Sequence, residues 1–170
     1  TTPRSVQAAG GLHHFKGKIT TPDMLAVHFE FDTCPVIWRH RIWGAQEYDP
    51  GVSNGVFFYG EKGTVFATDR KWIIIPKGKD KPHKITEVAT DMGTEHMRDF
   101  LEAVRTRKPA LCTVEEGYNS TTTVKLAMIA YDTGCKIFWD RDSHNIIGNP
   151  EAAALLKREY RSPWVHPYRS

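Results

Sequence analysis

Cysteine is scarce. The 170 residues hold three, Cys34, Cys112 and Cys135, widely spaced and odd in number. A disulfide framework uses an even set in a small secreted domain, so these read as buried thiols in a reducing compartment. Long apolar runs are missing too. A membrane-spanning helix needs about 18 or more consecutive apolar residues, and none occurs, so no membrane partner is expected. The opening TTPRSVQAAGG lacks the basic, apolar and cleavage regions of a signal peptide and lacks an initiator Met. The chain therefore reads as a cytoplasmic fragment or processed product, with export left open to any signal upstream of Thr1.

The sequence is also poor in motifs that carry chemistry. A dinucleotide site needs a glycine-rich turn from strand to helix, whose backbone N–H groups meet the pyrophosphate. Neither G-x-G-x-x-G nor G-x-x-x-x-G-K-[ST] is present. The Gly60-Glu-Lys-Gly63 segment reads as a turn between two strands. Eight histidines offer no H-x-x-x-H or H-x-x-E spacing, and adjacent His13 and His14 would point to opposite faces of a strand. No G-x-S-x-G surrounds a serine, and no cysteine has a recognisable nucleophile context. Catalytic, cofactor and metal residues are therefore all assigned as none.

What remains is an ordinary globular composition, 40% hydrophobic and 25% charged, in a length that suits one domain, residues 1–170. The formal charge of +3 is mild. Most of the excess lies between Lys71 and Lys84, which reads as a solvated loop rather than a nucleic-acid arm.

The first half is strand-rich. Ser5–Ala9 reads as a strand ending at Gly10 and Gly11. Residues 24–31 alternate, with Leu25, Val27, Phe29 and Phe31 on one face. After a turn at Asp32 and Thr33, Pro35 opens a second strand in which Val36, Trp38, His40 and Ile42 oppose Ile37, Arg39, Arg41 and Trp43. Gly44–Gly55 is a loop with Pro50-Gly51 and Asn54-Gly55 as turn signals. Val56–Tyr59 and Thr64–Thr68 form a hairpin, and Trp72–Ile75 is a strand bounded by Pro76.

Helices follow. Thr94 is positioned to cap a helix with Met97, Phe100, Leu101 and Val104 in one stripe, stopped at Lys108-Pro109. Thr113 and Glu116 have capping-box spacing for a second helix, closed by Gly134 and apolar nearly all round, hence largely buried. Lys136–Trp139 and Ile146–Ile147 are strands. Asn149-Pro150 opens a helix over Glu151–Lys157. The aromatic tail from Tyr160 to Tyr168 should lie extended on the body. Strands first and helices after argue for α+β, an open, mainly antiparallel sheet with helices packed on one face.

The most unusual polar cluster runs from Trp38 to Trp43, beside His28 and Glu30. Arg39 and Arg41 share a face and are costly there unless it meets water, a ligand or another subunit. A solvent-facing or dimer-facing strand with Arg–Glu pairs is the plain reading. The sharper one makes Trp38, Arg39, His40, Arg41 and Trp43 substrate-binding, with a tryptophan as stacking wall. His96 reads as a capping or packing residue rather than a base.

Three further segments carry a resemblance. They are HMRDFLEAVRTRKP from His96, CTVEEGYNSTT from Cys112 and AYDTGCKIFWD from Ala130. Together with TPDML at Thr21, Trp38–Trp43, FYGEKGT at Phe58 and the closing PEA and YRSPW, the chain resembles the C-terminal domain of glucose–fructose oxidoreductase/inositol dehydrogenase/rhizopine-catabolism (Gfo/Idh/MocA) proteins. The likeness covers nearly all of it. It implies a domain that shapes a sugar or cyclitol pocket and joins subunits, a homo-oligomer, through the open sheet face. It also implies NAD(P) for the parent oxidoreductase, held by an N-terminal Rossmann domain absent from this chain. The family's lysine and Asp/His motifs match no position here, so the chain alone is expected to bind no cofactor and catalyse nothing. The alternative is a free-standing binding or assembly module without a dehydrogenase partner.

Overall fold

The computed structural model describes residues 1–45, 54–78, 80–89 and 91–165. They divide between two compact units, one of Thr1–Trp43 with Cys112–Ser170, the other Gly44–Leu111. The Pro50-Gly51 turn and the end of the aromatic tail lie outside the described residues.

The first unit is built on a five-stranded sheet. Strands β1 (Ser5–Gly11), β2 (Met24–Glu30), β3 (Pro35–Arg41), β8 (Ile137–Asp140) and β9 (Asn145–Ile147) stand in the order β3-β2-β1-β8-β9. Every pairing is antiparallel. The alternation in β2 does what the sequence suggests, since Leu25, Val27 and Phe29 are buried and the residues between them are not. Cross-strand partners share a face, so Val6 opposite Phe29 and Ile137, and Trp139 opposite Ile146, extend that apolar face across the sheet.

Helix α2 (Val114–Thr133) and the short α3 (Pro150–Ala154) supply Leu126, Ala127, Ile129, Ala130 and Ala152 to the same core. Burying each large apolar side chain stabilises by about 1.5–3 kcal/mol. The capping box at the start of α2 is formed on both sides, Thr113 Oγ1 accepting from Glu116 N and the Glu116 carboxylate from Thr113 N. Gly134 closes the helix at φ 64°. Burial is confined to its C-terminal half, however, and Val124 is exposed. The α3 helix is shorter than expected and ends at Ala154, before Lys157.

The second unit holds a four-stranded sheet, β4 (Val56–Gly60), β5 (Gly63–Ala67), β6 (Lys71–Pro76) and β7 (Lys84–Glu87), in sequential antiparallel order. β7 lies in what the sequence presents as the end of a basic loop. Helix α1 (Met92–Thr106) follows it. Its cap is Asp91, not Thr94. The Asp91 side chain accepts from Gly93 N at 3.1 Å and from Thr94 Oγ1 at 2.6 Å, which draws Thr94 into the first turn.

Three expectations are overturned. The apolar stripe of α1 does not back a sheet, for Met97, Phe100, Leu101 and Val104 are each 48–58% exposed and no α1 residue is buried. The cysteines are not buried thiols but exposed ones. Each sits on a connection, Cys34 between β2 and β3, Cys112 before α2 and Cys135 after Gly134, where no core face exists to cover it. Within the described part of the aromatic tail Tyr160, Trp164 and Val165 are exposed, so it is not laid on the body as expected. No helix among the described residues is long and apolar enough to cross a membrane.

Candidate functional site

Of the polar and aromatic residues singled out in the sequence, Trp38, Arg39, His40 and Arg41 lie on β3, an edge strand of the five-stranded sheet, and Trp43 lies two residues beyond its end. Register separates them by face. Trp38 and His40 stand opposite Val27 and Leu25, on the side that carries the core. Arg39 and Arg41 stand opposite Ala26 and Met24, on the sheet's other face. Trp38 and His40 meet edge to face, 4.9 Å between ring centroids, and His40 Nε2 lies 3.1 Å from the carbonyl oxygen of Pro22. The Arg41 guanidinium lies over the Trp43 ring at 5.4 Å. The five residues are therefore two clusters, Trp38 with His40 and Arg41 with Trp43, while Arg39 shares the face of Arg41.

What brings the loop before β2 against this strand is Asp23, a residue that no sequence motif marks. Its side chain is fully buried. One carboxylate oxygen accepts from His13 N at 2.9 Å; the other accepts from His14 N at 2.6 Å and Phe15 N at 2.8 Å. Its backbone N–H donates to Gly11 O and its carbonyl accepts from Ile42 N, both at 3.1 Å, tying the end of β1 to the end of β3. Burial alone would push this carboxyl up, but the three backbone donors outweigh it and bring the pKa down to about 2. The Trp43 indole adds to that lowering, although its buried Nε1 makes no hydrogen bond of ordinary geometry. His14, held by the same carboxylate, packs 5.8 Å from Trp43 and 4.8 Å from Phe15. The signal in the sequence was the Pro22-Asp23 pair at a strand entrance, where aspartate commonly collects backbone N–H groups.

The face of the sheet away from α2 is mixed. Met24, Ile37, Phe138 and Ile147 are exposed on it. Glu30 accepts from Ser5 Oγ at 2.5 Å and from Lys136 Nζ at 3.1 Å, and these bonds hold its carboxyl below the usual range. Glu30 thus pairs with lysine and serine. Lys136 also lies 5.4 Å from the Phe138 ring.

The glycine-rich strand-to-helix turn that cradles a dinucleotide pyrophosphate is not formed among the described residues. Gly60–Gly63 closes the β4–β5 hairpin, with no helix behind it. The first turns of α1, α2 and α3 are occupied by their own caps, Asp91, Thr113 and Asn149. No group of three or more His, Cys, Asp or Glu among the described residues could hold a metal ion.

The chain is thus an α+β protein of antiparallel sheets, with α2 and α3 on one face of the five-stranded sheet and a polar-aromatic strand at its edge. Residues 30–166 match the Gfo/Idh/MocA family model described as "Oxidoreductase family, C-terminal alpha/beta domain". The chain belongs to that family, as its C-terminal domain. Solved structures with a similar fold include three described as "putative oxidoreductase". The protein from Thermotoga maritima has a TM-score of 0.62 at 17% identity, over 81% of this chain and 41% of that one. The one from Bacillus subtilis gives 0.59 at 16%, over 82% and 47%. The one from Klebsiella pneumoniae gives 0.62 at 13%, over 91% and 48%. The chain spans less than half the length of each. No curated protein matches.

Proposed function

We propose that this chain is the substrate-binding and oligomerisation domain of an NAD(P)-dependent sugar or cyclitol oxidoreductase, with the cofactor held by a Rossmann domain outside these 170 residues. The observation that carries the reading is the family match over residues 30–166, in a chain whose fold covers less than half of each of the three oxidoreductases that share it. The chemistry of β3 supports it. A tryptophan face offers a polyol its C–H bonds an apolar wall, and a guanidinium beside it offers several hydrogen-bond donors in a fixed fork. Arg41 over Trp43, with Arg39 on the same face, combines both. The exposed apolar residues of that face supply a surface for a second copy.

The division of labour is tested by titrating the chain with NADH and NADPH, read by fluorescence and calorimetry. No saturable binding is expected, and micromolar binding of either would overturn it. The substrate role is tested with a panel of hexoses and cyclitols. The Arg39→Ala/Arg41→Ala double variant should lose at least tenfold in affinity for whichever member binds. Unchanged affinity removes these residues from the site.

A further inference from the structure

We infer that α1 is a lid for the bare face of the four-stranded sheet in its own unit, closing over Val56, Phe58, Trp72 and Ile74. The register sets these four on one face, with Val56 opposite Ala67 opposite Trp72, and Phe58 opposite Val65 opposite Ile74. They are 41–59% exposed. The sheet's other face is different at its centre, where Phe66 and Ile73 are already buried and Phe57 stacks on Phe66 at 4.5 Å, although Tyr59 and Ile85 on its edge strands are exposed. One face therefore has a buried centre and the other has none.

A four-stranded sheet with apolar side chains on both faces is not complete by itself, because a sheet face must bury its apolar side against another element. The same unit carries the complementary element. Met97, Phe100, Leu101 and Val104 form a stripe on α1 that touches no core. The stripe rises about 10 Å along the helix, and three strands at about 4.8 Å spacing cover a similar width. The link from Glu87 to Met92 reaches at most about 18 Å when extended, enough to lay a helix over either face of a sheet about 10 Å away. Charges do not obstruct contact, for Glu95 pairs with Arg98 and Glu102 with Arg105 along the flank of the helix.

The rival occupant is a second copy of the chain. Effective concentration decides against it. A short tether presents α1 to its own sheet at a millimolar level, far above a micromolar protein solution. The face is consequently available to other surfaces only when α1 lifts away from it.

Disulfide trapping tests the lid. The exposed Cys34, Cys112 and Cys135 are first replaced by serine. Phe58→Cys is then combined in turn with Met97→Cys, Phe100→Cys, Leu101→Cys and Val104→Cys, with Glu102→Cys on the opposite side of α1 as control. At low micromolar concentration under mild oxidation, at least two stripe positions should cross-link within the monomer, at least fivefold faster than the control. Equal rates, or no cross-link, overturn the lid. Cross-links found only between chains overturn it in favour of a second copy. A separate readout guards against cysteine variants that fold poorly. Phe100→Asp should raise the fluorescence of a surface-binding hydrophobic dye severalfold over Phe100→Leu, and equal fluorescence again overturns the lid.

Discussion

At the scale of single residues, Asp23 is the most consequential side chain outside the hydrophobic core. Its carboxylate must be ionised to accept three backbone N–H groups on equal terms, and its pKa of about 2 lies below the ordinary aspartate value of 3.8. The folded state therefore binds fewer protons than the unfolded chain between those values. The stability it contributes is fully present above about pH 4 and is lost as pH falls toward 2. Urea midpoints of the unsubstituted chain and of Asp23→Asn should differ clearly at pH 5 and converge by pH 2. A pH-independent gap would mean that shape, not charge, makes the residue matter. The comparison needs the variant because Glu30, Asp32, Asp91 and Asp140 are lowered as well, by Ser5, Arg141, Thr94 and Ser143 respectively. Asp23→Asn should also loosen the loop that holds His14 against Trp43, raising hydrogen exchange at His13, His14 and Phe15 at neutral pH.

At the scale of elements, two glycines of one helical segment predict opposite outcomes. Gly134 sits at φ 64° with nothing within 4 Å of where a Cβ would lie. Gly134→Ala therefore costs only backbone strain, about 1–2 kcal/mol. Gly117 lies inside α2, also with nothing within 4 Å. Gly117→Ala should stabilise by about 0.5–1 kcal/mol, because alanine loses less chain entropy on entering a helix. Thermal melts of the two variants should move apart, and a stabilised Gly134→Ala would contradict the left-handed cap.

Elements also divide what was legible in the sequence from what was not. The β2 strand is readable because one of its faces alternates against a core, β3 because Pro35 opens a short run rich in strand formers after a turn, and α2 because its capping box and closing glycine are local chemistry. β7 was hidden, since Lys84–Glu87 holds one large apolar residue, Ile85, and takes its strand form from pairing with β6. The stripe of α1 is apolar as its spacing predicts, yet periodicity says which residues share a face and not what covers them. Asp23 was missed for a related reason. Three donors from residues 13–15 converge on it only through the tertiary loop, and no spacing rule encodes that. Trp38, Arg39, His40 and Arg41 are legible as a sequence run, and pleat geometry splits these four between two faces.

At the scale of the whole molecule, the proposed oligomer is carried by the open face of the five-stranded sheet. Ile37, the most exposed large apolar residue there, is 60% exposed and stands opposite His28, while Phe138 and Ile147 pair at the far side of the sheet. In a two-fold dimer each substitution acts twice, because the same patch serves both copies. Ile37 retains roughly half its burial in the free chain, so losing it removes about 1 kcal/mol per copy from the contact, and burying a glutamate in its place adds desolvation. Ile37→Glu should weaken the dimer by about 30-fold or more, since about 1.4 kcal/mol is a factor of ten. Phe138→Glu should act similarly and also take away the ring beside Lys136. Sedimentation velocity over a range of concentrations reads both. Glu102→Lys on α1 serves as the control, reversing a charge outside the five-stranded sheet. If Ile37→Glu and Phe138→Glu leave the association constant where the control leaves it, the open sheet face is not the subunit interface.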